Sequence, residues 1–220
     1  LLTESEARVL MSAEWEDESD VEKFVNIFWW DACAEQLPPL TQSEPAILSL
    51  DAAIGSETTS MLADCFAVIL VTRHPTRQDA TAVRYCGIWQ AIPGQLLDYE
   101  PIKAEIRRLC KEYSVIEVCF DPTQLHDMTQ TMQREGLALF KRFNQGQERL
   151  VADKDLQNLI ASRRVAHDGN PLLRQHVDNA YVKKAGTDGV RIVKRTASLK
   201  IDACVALSMA CQKILYYNTF

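Results

Sequence analysis

The sequence predicts an α/β domain whose core is a mixed five-stranded sheet flanked by helices. Three strand-like runs follow one another between residues 46 and 91, and the polar turn HPTRQDA joins the second to the third, which is typical of antiparallel strands. Two further apolar runs, at 115–121 and 137–143, each follow a helical pattern, which is typical of parallel strands. A helical run at 199–217 is apolar on nearly every side, which predicts a buried helix.

The size and composition of the chain are those of an ordinary globular protein. At 220 residues it fits one domain, or one domain with an appendage, and no apolar run approaches the roughly 18 residues of a membrane span. The first residues lack a signal-peptide pattern and an initiator Met, so we expect a fragment or a processed chain. The seven cysteines show no C-x-x-C spacing and mostly lie in apolar runs, which predicts reduced core thiols in a cytosolic protein.

The first 45 residues differ in composition from the rest. Residues 1 to about 22 are acidic and are predicted to be helical, and the apolar residues of VEKFVNIFWWDACAEQL, at 21–37, recur at helical spacing. The segment PPLTQSEP at 38–45 contains three prolines, which predicts a linker. We therefore expect two units: an acidic helical segment with an interdomain linker at 1–45, and the sheet domain at 46–220.

Within the second unit, strands and helices alternate after the third strand. The predicted strands are AILSLDAA at 46–53, CFAVILVTR at 65–73, TAVRYCGIWQA at 81–91, VIEVCFD at 115–121 and LALFKRF at 137–143. The predicted helices cover 96–113, 122–136, 152–164, 170–180 and 199–217. Asp153 is a candidate cap of the third helix, and a basic hairpin with its turn at Asp188-Gly189 precedes the last. The order β-β-β-α-β-α-β-α is that of ribonuclease H-like domains, in which the first strand lies beside the fourth.

Two strands of the predicted sheet end on an acid. Asp51 falls at the tip of the first strand and Asp121 at the tip of the fourth, where a buried charge is unfavourable without a partner. Because the topology makes these strands neighbours, we expect both carboxylates at one edge of the sheet, where ligands commonly bind. Asp202 is set among apolar residues near the start of the last helix and is the natural third member of the cluster.

A cluster of carboxylates favours a site for divalent metal ions. Carboxylates this close cannot all stay ionised without a cation, and hard ions such as Mg²⁺ take oxygen ligands. A two-metal centre needs one bridging carboxylate and at least one more at each end. Each acid also has an ordinary alternative: Asp121 starting a turn, Asp202 capping its helix, and Asp51 beginning a turn toward Gly55.

Five segments of the chain together carry a family resemblance. In order across about 47–211, they are LSLDAA, CFDPTQLHDMTQTMQREG, FNQG, AHDGNPLLRQHVDNAYVKK and KIDACVALSMA. In these segments the chain resembles the C-terminal nuclease domain of the large terminase subunit of tailed double-stranded DNA phages. The resemblance implies an endonuclease that cuts concatemeric DNA during genome packaging with two divalent ions, Mg²⁺ or Mn²⁺. It also implies that Asp51, Asp121 and Asp202 are the catalytic metal ligands.

The resemblance further implies partners and a location. Such a domain acts on double-stranded DNA, works with the portal protein and the small terminase subunit, and belongs to a longer chain with an N-terminal ATPase motor. These 220 residues contain no G-x-x-x-x-G-K-[ST] loop, so the motor is expected outside them. The implied location is the cytoplasm of the bacterial host, with no membrane partner.

Positive charge is concentrated in one part of an acidic chain. The net charge is -6, but residues 1–50 carry 2 Lys/Arg against 11 Asp/Glu, and residues 141–200 carry 13 against 6. The predicted hairpin contributes five candidate nucleic-acid-binding residues: Lys183, Lys184, Arg191, Lys194 and Arg195. They would hold a DNA backbone without reading its sequence, the alternative being a solvated charged hairpin.

Three further residues are secondary candidates for the site. Asp64, before the second strand, is either a fourth acid of the site or a turn residue, and His167 either approaches the metals or bonds to backbone. For both we favour the structural role, and for His176 a helix contact.

Two other functions stay open. Another ribonuclease H-like nuclease, such as a junction resolvase or a transposase-type enzyme, has the same predicted fold. A non-catalytic docking module for the portal or the small terminase subunit is the alternative from a different class, and the acidic first 50 residues are compatible with it. Cleavage of a plasmid with Mg²⁺ or Mn²⁺ distinguishes a nuclease from a docking module.

Overall fold

A six-stranded mixed sheet lies at the centre of the structure. The computed structural model describes residues 22–53, 65–92, 95–185, 189–196 and 198–217. The strands within these ranges are β1 (Glu22–Lys23), β2 (Ala46–Ala53), β3 (Cys65–Arg73), β4 (Thr81–Gln90), β5 (Val115–Phe120), β6 (Phe140–Arg142), β7 (Val165–Ala166), β8 (Ala180–Ala185) and β9 (Gly189–Lys194). Across the central sheet they follow the order β6-β5-β2-β3-β4-β7.

The predicted arrangement of antiparallel strands followed by parallel strands is confirmed. β2, β3 and β4 form an antiparallel meander, β5 runs parallel to β2, and β6 runs parallel to β5. The sheet has a sixth strand that the sequence did not predict, because β7 pairs with β4 over two residues only. β3 is buried from Cys65 to Thr72, as expected for a strand that is covered on both faces.

Helices cover both faces of this sheet. In the described ranges they are α1 (Ile27–Asp31), α2 (Glu100–Glu112), α3 (Pro122–Arg134), α4 (Gln147–Ala161), α5 (Pro171–Asp178) and α6 (Asp202–Tyr216). Because side chains alternate along a strand, Ile47 and Ile69 pack with α4, α5 and α6, whereas Leu48 and Val68 pack with α2 and α3. α6 is buried along nearly its whole length, as predicted, and lies against β2 and β3.

A second, three-stranded sheet has the order β1-β8-β9. The predicted hairpin is confirmed, since β8 and β9 pair in antiparallel fashion from Ala180 opposite Lys194 to Ala185 opposite Gly189. Its predicted turn residue Asp188 lies outside the described residues. α4 packs against β9, so this sheet is held beside the helical layer that also contains α6.

The helical interpretation of residues 21–37 is wrong for most of that segment. α1 has only five residues, with Asn26 as its cap, and the short strand β1 precedes it. Phe24 and Trp30 are buried in the same hydrophobic cluster as α6, whereas Phe28 is exposed. The acidic segment at 1–21 lies outside the described residues.

Asp153 does not begin a helix, and the prediction that it is a cap is wrong. α4 begins at Gln147, so Asp153 lies inside the helix and is fully buried. The cysteine prediction agrees with the structure, since all seven cysteines are free and five of them are buried. Among the described residues, the helices are too short or too polar to cross a membrane.

Candidate active site

The tips of β2 and β5 contribute to an open cleft of about 480 Å³. The parallel register places Leu50 beside Phe120, so Asp51 and Asp121 follow at adjacent positions on neighbouring strands. Asp202, the first residue of α6, lines the same cleft. The structure therefore brings the three acids that the sequence singled out to one place.

Asp51 is the acid whose protonation is most strongly altered by its surroundings. Its side chain is buried within β2. Burial raises the pKa of Asp51 to about 8, Arg149 opposes that rise, and the charges of Asp202 and Asp121 add to it. Without a further cation, Asp51 keeps its proton near neutral pH.

Asp121 combines a structural role with its place in the cleft. It is the cap of α3, and its Oδ1 accepts a hydrogen bond from the Thr123 backbone N–H at 2.9 Å. Pro122 follows at the first helical position, where its missing N–H costs nothing. The structural alternative for Asp121, predicted as the start of a turn, is in the structure a helix cap. A carboxylate has about four lone-pair sites, so one cap bond leaves room for other partners.

Asp202 does not cap its own helix. The cap position of α6 is Ile201, whose side chain makes no capping hydrogen bond. Instead, the Nδ1 of His176 accepts a hydrogen bond from the Ala203 backbone N–H at 3.0 Å. Asp202 is buried, and within the described structure its Oδ2 has no hydrogen-bond partner. Such an oxygen is costly unless something binds to it, which marks Asp202 as a candidate ligand.

Basic side chains line the cleft together with the acids. They are Arg149 from α4, Arg191 and Lys194 from β9, and Lys200 from the segment before α6. Of the five predicted hairpin residues, the structure thus brings Arg191 and Lys194 to the cleft. The other three, Lys183, Lys184 and Arg195, do not line it, and Arg195 packs over the ring of Tyr181 at 5.9 Å.

A buried polar network behind the cleft was missed by sequence reasoning. The Nε of Arg149 donates to Asp153 at 2.7 Å, and Asp153 also accepts from the Ser208 hydroxyl at 2.6 Å and the Ile192 backbone N–H at 2.8 Å. The signal was present, since Arg149 and Asp153 are four residues apart and helical spacing makes them neighbours. Interpreting Asp153 as a cap hid that spacing.

The two histidines have the structural roles that we favoured. His167 is stacked on Trp30 at 4.0 Å, its Nε2 donates to the Trp30 carbonyl, and its Nδ1 accepts from the Gly169 backbone N–H. Burial lowers the pKa of His167. His176 is buried and holds the start of α6. Asp64 lies outside the described residues.

The donors in the cleft have the chemistry that hard divalent ions require. The candidate ligands Asp51, Asp121 and Asp202 offer oxygen atoms only, and the unpaired Oδ2 of Asp202 is an open coordination position. Across the described ranges, no three Asp, Glu, His or Cys side chains are gathered closely enough to hold one ion. The residues therefore have the ligand chemistry of a divalent metal site, and the acids would have to move closer together to bind one ion jointly.

A mixed sheet in this order, with acids on β2, after β5 and at the start of α6, gives the chain a ribonuclease H-like fold. Residues 45–217 match the family described as "Terminase large subunit, endonuclease domain". The chain belongs to this family.

Similar proteins come from phages and from a bacterial genome. The large terminase subunit of Enterobacteria phage HK97 is 23% identical over 211 residues, which cover 87% of this chain and 41% of that protein. Protein YmfN of Escherichia coli K12 is 26% identical over 226 residues, covering 89% and 49%. The chain therefore spans less than half of the length of these curated relatives.

Solved structures share the fold. The crystal structure of the HK97 large terminase has a TM-score of 0.70 at 20% identity, and the match covers 87% of this chain and 43% of that one. The large terminase nuclease from thermophilic phage G20c with bound magnesium has a TM-score of 0.53 at 12% identity, covering 87% and 97%.

Proposed function

We propose that this domain cuts concatemeric double-stranded DNA during phage genome packaging by metal-dependent hydrolysis of a phosphodiester bond. The observation that carries the proposal is the cleft, in which three acids from distant parts of the chain face four basic side chains. Metal-dependent hydrolysis of DNA uses both: acids to hold divalent ions, and cations to hold the charged backbone.

In this proposal Asp51, Asp121 and Asp202 hold two divalent ions, Mg²⁺ or Mn²⁺. When bound, the ions supply an activated water and neutralise the charge that develops on the phosphate and the leaving oxygen. Asp51 is influenced by the charges of both Asp121 and Asp202, so it is the acid whose loss we expect to weaken metal binding most. The magnesium in the G20c nuclease supports this class of ion.

The basic side chains hold the substrate. Arg191 and Lys194 contact phosphate oxygens in the cleft, while Lys183, Lys184 and Arg195 contact the backbone farther out, without reading bases. A water oxygen attacks the phosphorus in line with the 3' oxygen. The water gives up a proton as its oxygen bonds to phosphorus, the P–O3' bond breaks, and the leaving oxygen takes up a proton, so the products carry a 5' phosphate and a 3' hydroxyl.

The wider setting follows from the family. We infer that the domain works beside an N-terminal ATPase motor, with the portal protein and the small terminase subunit, in the cytoplasm of the bacterial host. The family match and the greater length of the curated relatives support this inference. The division at residue 45, between a preceding segment at 1–45 and a nuclease domain at 46–220, is part of the same proposal, in which β1 and Trp30 of the first segment pack against the domain.

Plasmid cleavage tests the nuclease function. Supercoiled plasmid incubated with the protein and Mn²⁺ or Mg²⁺ should become nicked and then linear, and excess EDTA should stop the reaction. Cutting that persists in excess chelator contradicts the metal mechanism. Absence of cutting under all metal conditions, together with binding to portal or small subunit, would instead establish the docking module.

A further inference from the structure

A buried arginine lines the cleft that contains the acids. Arg149 is 3% exposed and lies in the cleft with Asp51, Asp121 and Asp202. Arginine is almost never buried unless it is paired, and the hairpin prediction did not include this residue, which comes from α4. Its place in the active cleft calls for a role beyond packing.

The guanidinium is fixed on one side and open on the other. Its Nε donates to Asp153, which is itself tied to α6 through Ser208 and to β9 through the Ile192 backbone N–H. Its Nη1 donates to the Gln145 side chain at 3.2 Å. The described hydrogen bonds of Arg149 come from Nε and Nη1, so Nη2 is the nitrogen that a ligand in the cleft would meet.

A second arginine stands beside the first. The Nη1 of Arg191 donates to the backbone carbonyl of Gln145, the residue whose side chain holds Arg149. Burial lowers the pKa of Arg191, and the charge of Arg149 lowers it further. Arg149 and Arg191 line the same cleft and repel each other, a repulsion that the charges of Asp153, Asp121 and Asp51 partly offset and that a bound anion would relieve further.

We propose that Arg149, with Arg191 beside it, binds a non-bridging oxygen of the scissile phosphate, and that Arg149 is the counterion of the acids when no metal is bound. The inference rests on the proposed function and adds a phosphodiester-binding subsite to it. A guanidinium suits this task because it is planar, always charged, and donates in a fork that matches phosphate oxygens.

The two roles predict effects of opposite sign. Loss of Arg149 removes a positive charge beside the acids, so divalent metal should bind more tightly to the protein without DNA. The same loss removes a phosphate ligand, so cleavage should slow. If Arg149 only supports the fold, its removal should weaken metal binding and slow cleavage together.

The test variant must not leave a buried charge without its ion-pair partner. Removing Arg149 alone leaves Asp153 ionised and buried, which can unfold the domain. The double variant Arg149→Met with Asp153→Asn removes both charges. The Asn oxygen can accept from the Ile192 backbone N–H, and its amide nitrogen can donate to the Ser208 hydroxyl oxygen. Arg149→Lys keeps a charge and is the conservative variant. The matched control is Arg84→Met with Glu44→Gln, an ion pair at 3.0 Å whose arginine is buried outside the cleft.

Each variant is tested by three measurements: Mn²⁺ affinity without DNA by calorimetry, the cleavage rate at saturating metal, and the salt dependence of duplex binding in Ca²⁺. We expect the double variant to bind Mn²⁺ about 2-fold more tightly, because Arg149 acts on Asp51 more strongly than Asp153 does and its loss outweighs the loss of that acid. It should cut about 10²-fold more slowly. Its log–log salt slope should be shallower by about 0.9. Arg149→Lys should recover part of the rate, and the control pair should change none of the three.

Weaker Mn²⁺ binding together with slower cutting, or an unchanged cleavage rate, would overturn the inference. Failure of the nuclease function itself looks different. A wild-type protein that binds duplex but never cuts refutes hydrolysis, while the Mn²⁺ affinity and the salt slope still decide whether Arg149 faces the metal site and holds a phosphate.

Discussion

Asp153 and Asp202 are both buried acids on helices that pack against each other. The carboxylate of Asp153 accepts hydrogen bonds from Arg149, Ser208 and the Ile192 backbone N–H. Asp202 opens onto the cleft, and in the described structure its Oδ2 accepts none. Asp153 joins α4, α6 and β9, whereas Asp202 keeps one carboxylate oxygen without a hydrogen-bond partner in the part of the chain that the structure describes.

Burial alone therefore does not distinguish a structural acid from a functional one. Both residues are surrounded by apolar positions, and both would be unfavourable as isolated charges. What separates them is whether the hydrogen-bonding capacity is filled and whether the oxygen faces a cleft. Glu117 shows that both conditions are needed. It is buried and its Oε1 has no hydrogen-bond partner among the described residues, but its Oε2 pairs with Lys141 at 2.8 Å and the residue lies outside the cleft.

The largest expected effect is the loss of cleavage when the cleft acids become amides. Asp51→Asn, Asp121→Asn and Asp202→Asn should each lower the cleavage rate by at least about 10³-fold, because an amide keeps the shape but binds divalent ions poorly. We expect Asp51 to be the most sensitive. Plasmid linearisation with Mn²⁺ measures the effect, and Glu117→Gln, on the same strand as the Asp121 tip, should cut at nearly the wild-type rate. Wild-type cutting by all three amides would refute the nuclease assignment.

The next effect concerns stability and separates Asp153 from Asp202. Asp153→Ala strands the charge of Arg149 and should destabilise the domain by about 3–5 kcal/mol. Asp202→Asn removes a charge and keeps the shape of the side chain, so the metal-free protein should melt at the same temperature or higher. Thermal unfolding in EDTA measures both, and about 1 kcal/mol corresponds to 2–4 °C in Tm for a domain of this size. Equal destabilisation by the two changes would abolish the distinction between these acids.

A smaller effect is a pH dependence that arises from Asp51. The native carboxyl keeps its proton up to about pH 8, whereas the unfolded chain releases it near the ordinary value of 3.8. The native state thus binds more protons, so the Asp51 contribution to stability is lost as the pH rises from about 4 to 8. Asp51→Asn has no such loss, so its Tm advantage over the wild type in EDTA should grow between pH 5 and pH 8. Parallel Tm curves for the two proteins across that range would show that Asp51 titrates normally.

The smallest effect is expected from the hairpin. Replacing Lys183, Lys184, Lys194 and Arg195 with Ala should weaken binding to all DNA sequences alike, with a salt slope shallower by about 0.9 for each phosphate that the protein no longer neutralises. Because Lys194 lines the cleft and Lys183 does not, Lys194→Ala alone should also slow cutting. Fluorescence anisotropy over a salt series checks the slope. An unchanged slope would make the hairpin a solvated surface.

Much of the fold was accessible from the sequence because its strands carry strong local signals. β2, β3 and β4 were predicted to within one residue, and the neighbouring positions of Asp51 and Asp121 followed from the topology. β7 escaped because two residues are too few to show a period. α1 was overestimated because the spacing of Phe24, Val25 and Phe28 looks helical, although only the last of these lies in a helix.

The basic side of the cleft was harder to predict than the acidic side. Acids at strand tips are easily noticed, since a charge at the end of an apolar run needs an explanation. Arg149 is held by Asp153, whose other hydrogen-bond partners, Ser208 and Ile192, are far away in sequence. The burial of Arg149 therefore depends on contacts that no local sequence pattern encodes. The role of His176 at the start of α6 was hidden for the same reason.

The parallel pairing of β2 with β5 and the packing of α6 on both have a consequence for how the domain is made. These contacts join segments that are far apart along the chain, and such contacts form late in folding because the intervening chain must first be ordered. Asp51, Asp121 and Asp202 therefore meet only when folding is nearly complete. Under the proposed function, a nascent or partly unfolded copy, whose acids are still apart, has no metal site with which to cut the DNA that it encounters.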